Sequence, residues 1–92
     1  MAKGQLPSHM GKGFLLTELR TGITFANVAL TAPKYDPGKL SRNRKNARKA
    51  YDTFCKFRDR VALSTSDLAE LEEIATQLRS ALQQLGENII ES

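Results

Sequence analysis

The most restrictive pattern in the chain lies between Ser64 and Gly86. Leu68, Leu71, Ala75, Leu78, Leu82 and Leu85 recur at alternating spacings of three and four, a period that an α-helix gathers onto one face. Ser64 followed by Asp67 supplies an N-cap and an acidic third position, Leu63 and Leu68 occupy the staple positions, and Gly86 falls where a left-handed C-cap belongs. A helix is predicted over Thr65 to about Leu85. Glu87 to Ser92 is then a tail expected to fray, unless Ile89 and Ile90 fold back on the bundle.

Two further segments share that period. Asp36-Pro37 reads as an N-cap followed by proline at the first helical position, and Leu40, Asn43, Ala47, Ala50, Phe54, Phe57 and Val61 form the stripe of a second helix. Tyr51, Phe54 and Phe57 share that stripe and are expected in the core against the last helix. The first helix, about Phe14 to Ala32, is rich in β-branched residues and carries Gly22, which costs about 1 kcal/mol in a helix interior. A strand over Gly22 to Thr31 would place Ile23, Phe25, Asn27 and Ala29 on one face, a broken alternation. As a helix the segment collects Leu16, Leu19, Ile23, Ala26 and Leu30 into one stripe, and Pro33 ends it. Short connections imply up-down-up order, so the expected fold is an all-α, three-helix antiparallel bundle. Its expected core adds Ala47, Phe54, Phe57, Val61, Leu71, Ala75, Leu78 and Leu82 to that stripe.

Ninety-two residues leave room for one domain. A chain of this size buries only about 60–65% of its unfolded surface, so nearly every apolar residue is needed in the core or at an interface. The lone Cys55 makes no internal disulfide, which suits a reducing, cytoplasmic setting, and its place beside the second stripe reads as a buried structural thiol. The charge-free run from Thr21 to Pro33 is too short and too polar to span a membrane. Residues 1–10 have no periodicity, and Ser8-His9-Met10 resembles a cloning scar, so they are read as a disordered leader outside the domain that runs over 11–86.

Helix 1 has a second apolar side. Phe14, Phe25, Val28 and Ala32 fall about 140° to 200° from Ile23, and Gly22, Ala26 and Ala29 make a strip of small residues between the two sides. A helix apolar on two sides is sandwiched or belongs to an interface. Leaving Phe14, Phe25 and Val28 in water forfeits roughly 1.5–3 kcal/mol per large side chain. Self-association, with a symmetric homodimer as its simplest form, or a partner helix would recover that, and cover by the Pro33 to Lys39 loop is the alternative.

Charge is segregated along the chain. Lys34 to Arg60 carries net +7 and Ser64 to Ser92 net −5 within an overall +4. Arg42, Lys45, Lys49, Lys56 and Arg60 project opposite the second apolar stripe as a ridge of about 27 Å, a footprint suited to nucleic-acid phosphates. The competing reading is a solvated face, with Asp52 and Asp59 close to the ridge, Asp52 pairing to Lys56 four residues on, and Glu70, Glu72 and Glu73 supplying counter-charge.

Catalytic signatures are lacking. The sequence has no glycine-rich phosphate loop, no metal-ligand spacing and no nucleophile with a histidine partner; Glu72 and Glu73 point to different sides of a helix. No cofactor or metal is expected. Ala47-x-x-Ala50-Tyr51-x-x-Phe54 resembles the second helix of a tetratricopeptide-like hairpin, and Leu19-x-x-Gly22-x-x-Phe25 resembles the first. The three-helix layout is also similar to microtubule-interacting-and-trafficking domains. Both resemblances imply a helical module that binds peptide segments in grooves. The expectation is therefore a non-enzymatic interaction module acting through Phe14, Phe25, Val28 and Ala32, with nucleic-acid binding along the basic ridge as the alternative.

Overall fold

The computed structural model describes residues 8–89, arranged as three helices: α1 (Ser8–Leu30), α2 (Pro37–Phe57) and α3 (Thr65–Gln84). No strand occurs among the described residues. Successive helices run antiparallel. Gly22 of α1 lies beside Ala50 of α2, while Phe14 reaches Phe57 and Gly11 reaches Val61 beyond the end of α2. The fold is the expected all-α three-helix bundle. Within it α1 is the central element, packing against both α2 and α3 more extensively than those two pack against each other.

The helix ends follow the local chemistry. Asp36 Oδ1 accepts the Lys39 N–H at 3.0 Å, and Ser64 Oγ accepts the Asp67 N–H at 3.0 Å, so each cap satisfies a backbone donor that the first turn leaves unpaired. At the other end of α3, Gly86 N–H donates to Gln83 O at 3.0 Å and Glu87 N–H to Leu82 O at 2.9 Å. This is a Schellman closure, and it needs the φ of +90° that Gly86 adopts. Two threonines bond back onto α1: Thr24 Oγ1 donates to Arg20 O at 3.1 Å, and Thr31 Oγ1, just past the helix end, to Asn27 O at 2.8 Å.

Three expectations about packing are corrected. First, α1 begins at Ser8 rather than near Phe14, so helix extends into the segment read as a leader, of which residues 1–7 lie outside the described residues. Ile90 and the rest of the tail to Ser92 also lie outside them; Ile89 is partly buried against the core. Second, the inward stripe of α1 is Leu15, Leu19, Gly22, Ala26 and Ala29. Leu16 and Ile23 sit at the core's edge and Leu30 remains 40% exposed. The small residues face inward because α1 approaches both neighbours closely: a Cβ on Gly22 would lie 2.7 Å from Leu78 Cδ2 and 2.9 Å from Ala50 Cβ. The larger residues then close over the two flanks of the contact, and one central helix serves two partners. Third, Phe57 is only partly buried, whereas Tyr51 and Phe54 lie in the core as expected. Phe57 turns toward α1, where its ring meets that of Phe14 edge to face at 5.9 Å and 85°.

Elsewhere Ala47, Val61, Leu71, Ala75, Leu78 and Leu82 are buried as the periodicity requires. The α3 stripe starts at Leu71, since Leu68 stays 39% exposed; Leu63, its expected staple partner, packs on the core instead. Burial pushes the Tyr51 phenol above its ordinary pKa, opposed by hydrogen bonding to the Arg79 guanidinium. Cys55 is half-buried against the core rather than fully enclosed. No buried side-chain polar atom among the described residues lacks a hydrogen-bond partner.

Candidate functional site

The outer face of α2 is built by the same periodicity that buries its inner face. With Ala47, Ala50 and Phe54 inward, residues 42, 45, 49 and 56 must project outward, whereas Arg60, expected on the same helix, lies in the turn that follows α2. Arg42, Lys45, Lys49, Lys56 and Arg60 are all exposed. A groove of about 670 Å³ runs along this face, with Leu40, Lys45, Lys49 and Lys56 among its lining residues and Arg44 and Arg48 beside them.

Much of the counter-charge expected for this ridge is committed to other cations, though Asp59 and Glu73 are exposed and in no ion pair among the described residues. Asp52 Oδ1 accepts from Arg48 Nε at 3.0 Å, so it pairs with the residue four before it and not with Lys56. Arg48 also donates through Nη1 to Glu87 Oε1 at 3.1 Å, and Arg44 Nε bonds the other oxygen of the same carboxylate. The planar guanidinium fork lets Arg48 serve two carboxylates at once, which a lysine ammonium does with less directional fit. Glu70 reaches across to Lys12 of α1 at 2.8 Å, together with Asp67 at 3.1 Å, and Glu72 accepts from Arg58 Nη1 at 2.9 Å. Glu73 is exposed. The acids of α3 thus neutralise α1 and the end of α2. Among the described residues, none of the five ridge cations forms an ion pair; Lys56 and Arg60 instead lie 5.4 and 5.7 Å from the centroid of the Phe57 ring.

Two of the paired carboxylates, Glu87 and Asp67, are held in their charged form. Arg44, and after it Arg48, keeps the Glu87 carboxyl below the usual carboxylate range against the opposing effect of burial. Lys12 does the same for Asp67, helped by the Ser64 cap. The Arg44, Arg48 and Glu87 clasp was not anticipated from the sequence. Its signal was present in the spacing of Arg44 and Arg48, one turn apart on one side of α2, and in Gly86, whose left-handed turn directs Glu87 back toward them.

The second apolar side of α1 takes a different position from the one its angles suggested. Because α1 is rotated toward its small residues, Phe14 and Phe25 flank the buried stripe on the side of α2. Phe25 packs against the core and borders a cavity of about 230 Å³ shared with Asn46, Lys49, Ala50 and Thr53 of α2. Phe14 remains 37% exposed, and Val28 and Ala32 are half-buried. The Pro33 to Lys39 loop is not among the residues bordering the Phe25 cavity.

Among the described residues no three His, Cys, Asp or Glu side chains gather as metal ligands, and no helix is long and apolar enough to cross a membrane. Comparison with known proteins returns no match to a family, to a curated protein or to a solved structure.

Proposed function

We propose that this chain is a small non-enzymatic helical module that binds a nucleic-acid backbone along α2. The observation that carries this reading is the distribution of counter-charge. Asp52, Asp67, Glu70, Glu72 and Glu87 are each paired with other cations, while Arg42, Lys45, Lys49, Lys56 and Arg60 stand exposed without an ion pair among the described residues. Four cations held on one rigid helix, with Arg60 in the turn that follows it, attract a polyanion without the ordering cost of a flexible tail.

Binding of a labelled oligonucleotide, followed by fluorescence anisotropy, is expected to weaken steeply with salt. Five contacts to a single strand correspond to a log–log slope of about −3.5. Substituting Lys45→Gln together with Lys49→Gln should flatten that slope by about 1.4. Failure of the wild type to bind at low salt would overturn the proposal.

A second reading, self-association through Phe14, Phe25, Val28 and Ala32, is supported by one observation: none of these four side chains is fully buried within the chain, and Phe14 keeps 37% of its surface exposed. It predicts a homodimer mass by light scattering and a monomer for Val28→Asp. A monomeric wild type across the accessible concentration range removes it.

A further inference from the structure

We infer that the seam between α1 and α2, beginning at Phe14, receives unpaired nucleobases, so that the ligand of the basic ridge is a single strand rather than a duplex. The inference rests on the backbone-binding reading above and specifies its ligand. Phe14 is the only phenylalanine among the described residues left substantially exposed. It is not a loose surface ring, because its edge-to-face contact with Phe57 fixes it. Lys56 and Arg60, at the end of the ridge, lie over that same Phe57 ring at 5.4 and 5.7 Å. Cations for phosphate and an accessible aromatic for a base therefore converge at one end of the bundle, the pairing that single-strand binders use.

The seam continues in the same sense toward Phe25, about 16 Å along α1 at 1.5 Å per residue. Its cavity of about 230 Å³ is bordered by Phe25 and Thr21 from α1 and by Lys49, Asn46 and Thr53 from α2, with Glu18 at its rim. Lys49 belongs to both the ridge and this cavity. The Asn46 side chain makes no hydrogen bond among the described residues, leaving a donor and an acceptor for a base edge. Glu18 repels phosphate but accepts from an exocyclic amino group. The charges thus orient a strand with its phosphates on the ridge and its bases in the seam. A duplex keeps its bases stacked inside and offers the seam nothing to fill it.

The full chain should be titrated at low salt with a labelled oligodeoxycytidylate of about 12 nucleotides, long enough to cover a small binding site and carrying the exocyclic amino group that Glu18 would accept from. The same strand in a duplex and an abasic strand of equal length serve as competitors. The expected result is that the single strand binds about tenfold more tightly than the abasic strand, with the duplex also weaker. Phe14→Ala should lower the ratio of single-strand to abasic affinity several-fold, and Phe14→Tyr should keep it. Equal affinity for all three ligands in the wild type overturns the inference while leaving backbone binding intact, and this comparison does not depend on any variant folding. A Phe14→Ala protein that melts like the wild type yet retains the base-dependent advantage also overturns it, as does a wild-type dimer that Phe14→Ala dissociates. Absence of binding to every ligand defeats the backbone-binding reading itself.

Discussion

Replacing Phe54 with Ala should leave a large fraction of the protein unfolded at room temperature. Phe54 is the largest fully buried side chain, enclosed with Leu71, Leu78 and Leu82 of α3 and Leu15 and Leu19 of α1 in the one core cluster. Removing a buried phenyl ring costs about 3–5 kcal/mol, the lost transfer energy plus the cavity left behind. A small domain has only about 5–15 kcal/mol in total. The ring also lies 5.8 Å beneath the Arg58 guanidinium, so its loss removes one of the contacts that hold Arg58 where it reaches Glu72. Urea unfolding followed by circular dichroism measures the loss. A variant within about 1 kcal/mol of the wild type would mean that the site collapses freely and that the core is not close-packed there.

Enlarging Gly22 to Leu should also destabilise the protein, for the opposite reason. Even a bare Cβ would approach Ala50 Cβ to 2.9 Å, and Ala50 has no torsion with which to withdraw, whereas Leu78 Cδ2 at 2.7 Å can swing aside. A leucine therefore requires α1 and α2 to separate where Gly22 meets Ala50. Overpacking of this kind costs about 1–3 kcal/mol and sometimes more, set against a gain of about 1 kcal/mol for removing glycine from a helix interior. Gly22→Ala is a useful companion, since it keeps the propensity gain with a much smaller intrusion. Thermal unfolding should rank wild type above Gly22→Leu, with Gly22→Ala between them or close to wild type. A Gly22→Leu protein as stable as the wild type would be incompatible with the close approach of the two helices.

What could be read from the sequence divides by the kind of signal involved. Asp36, Ser64 and Gly86 announce helix ends through short-range backbone chemistry that tertiary packing leaves intact, and the stripes of α2 and α3 are carried by large apolar residues. The orientation of α1 was misread because apolar periodicity weights residues by size. Leu16, Ile23 and Leu30 dominate such a count, yet the close approach to two neighbours is made by Gly22, Ala26 and Ala29, which contribute little to it. The ridge of α2 was legible as geometry. That its cations are left without ion pairs was not, because the partners of Asp52, Glu70 and Glu87 depend on which guanidinium or ammonium the packed helices bring within reach.

The inward strip of small residues on α1 also shapes how the chain tolerates variation. Where a side chain already ends at a hydrogen or a methyl, almost every substitution is an enlargement, so Gly22, Ala26 and Ala29 have almost no neutral neighbours in sequence space. Leu16, Ile23 and Leu30, at the flanks, can be exchanged among residues of several shapes because solvent absorbs the difference. A saturation scan of α1 would therefore find Leu16, Ile23 and Leu30 forgiving, and Gly22, Ala26 and Ala29 as intolerant as the fully buried Leu15 and Leu19.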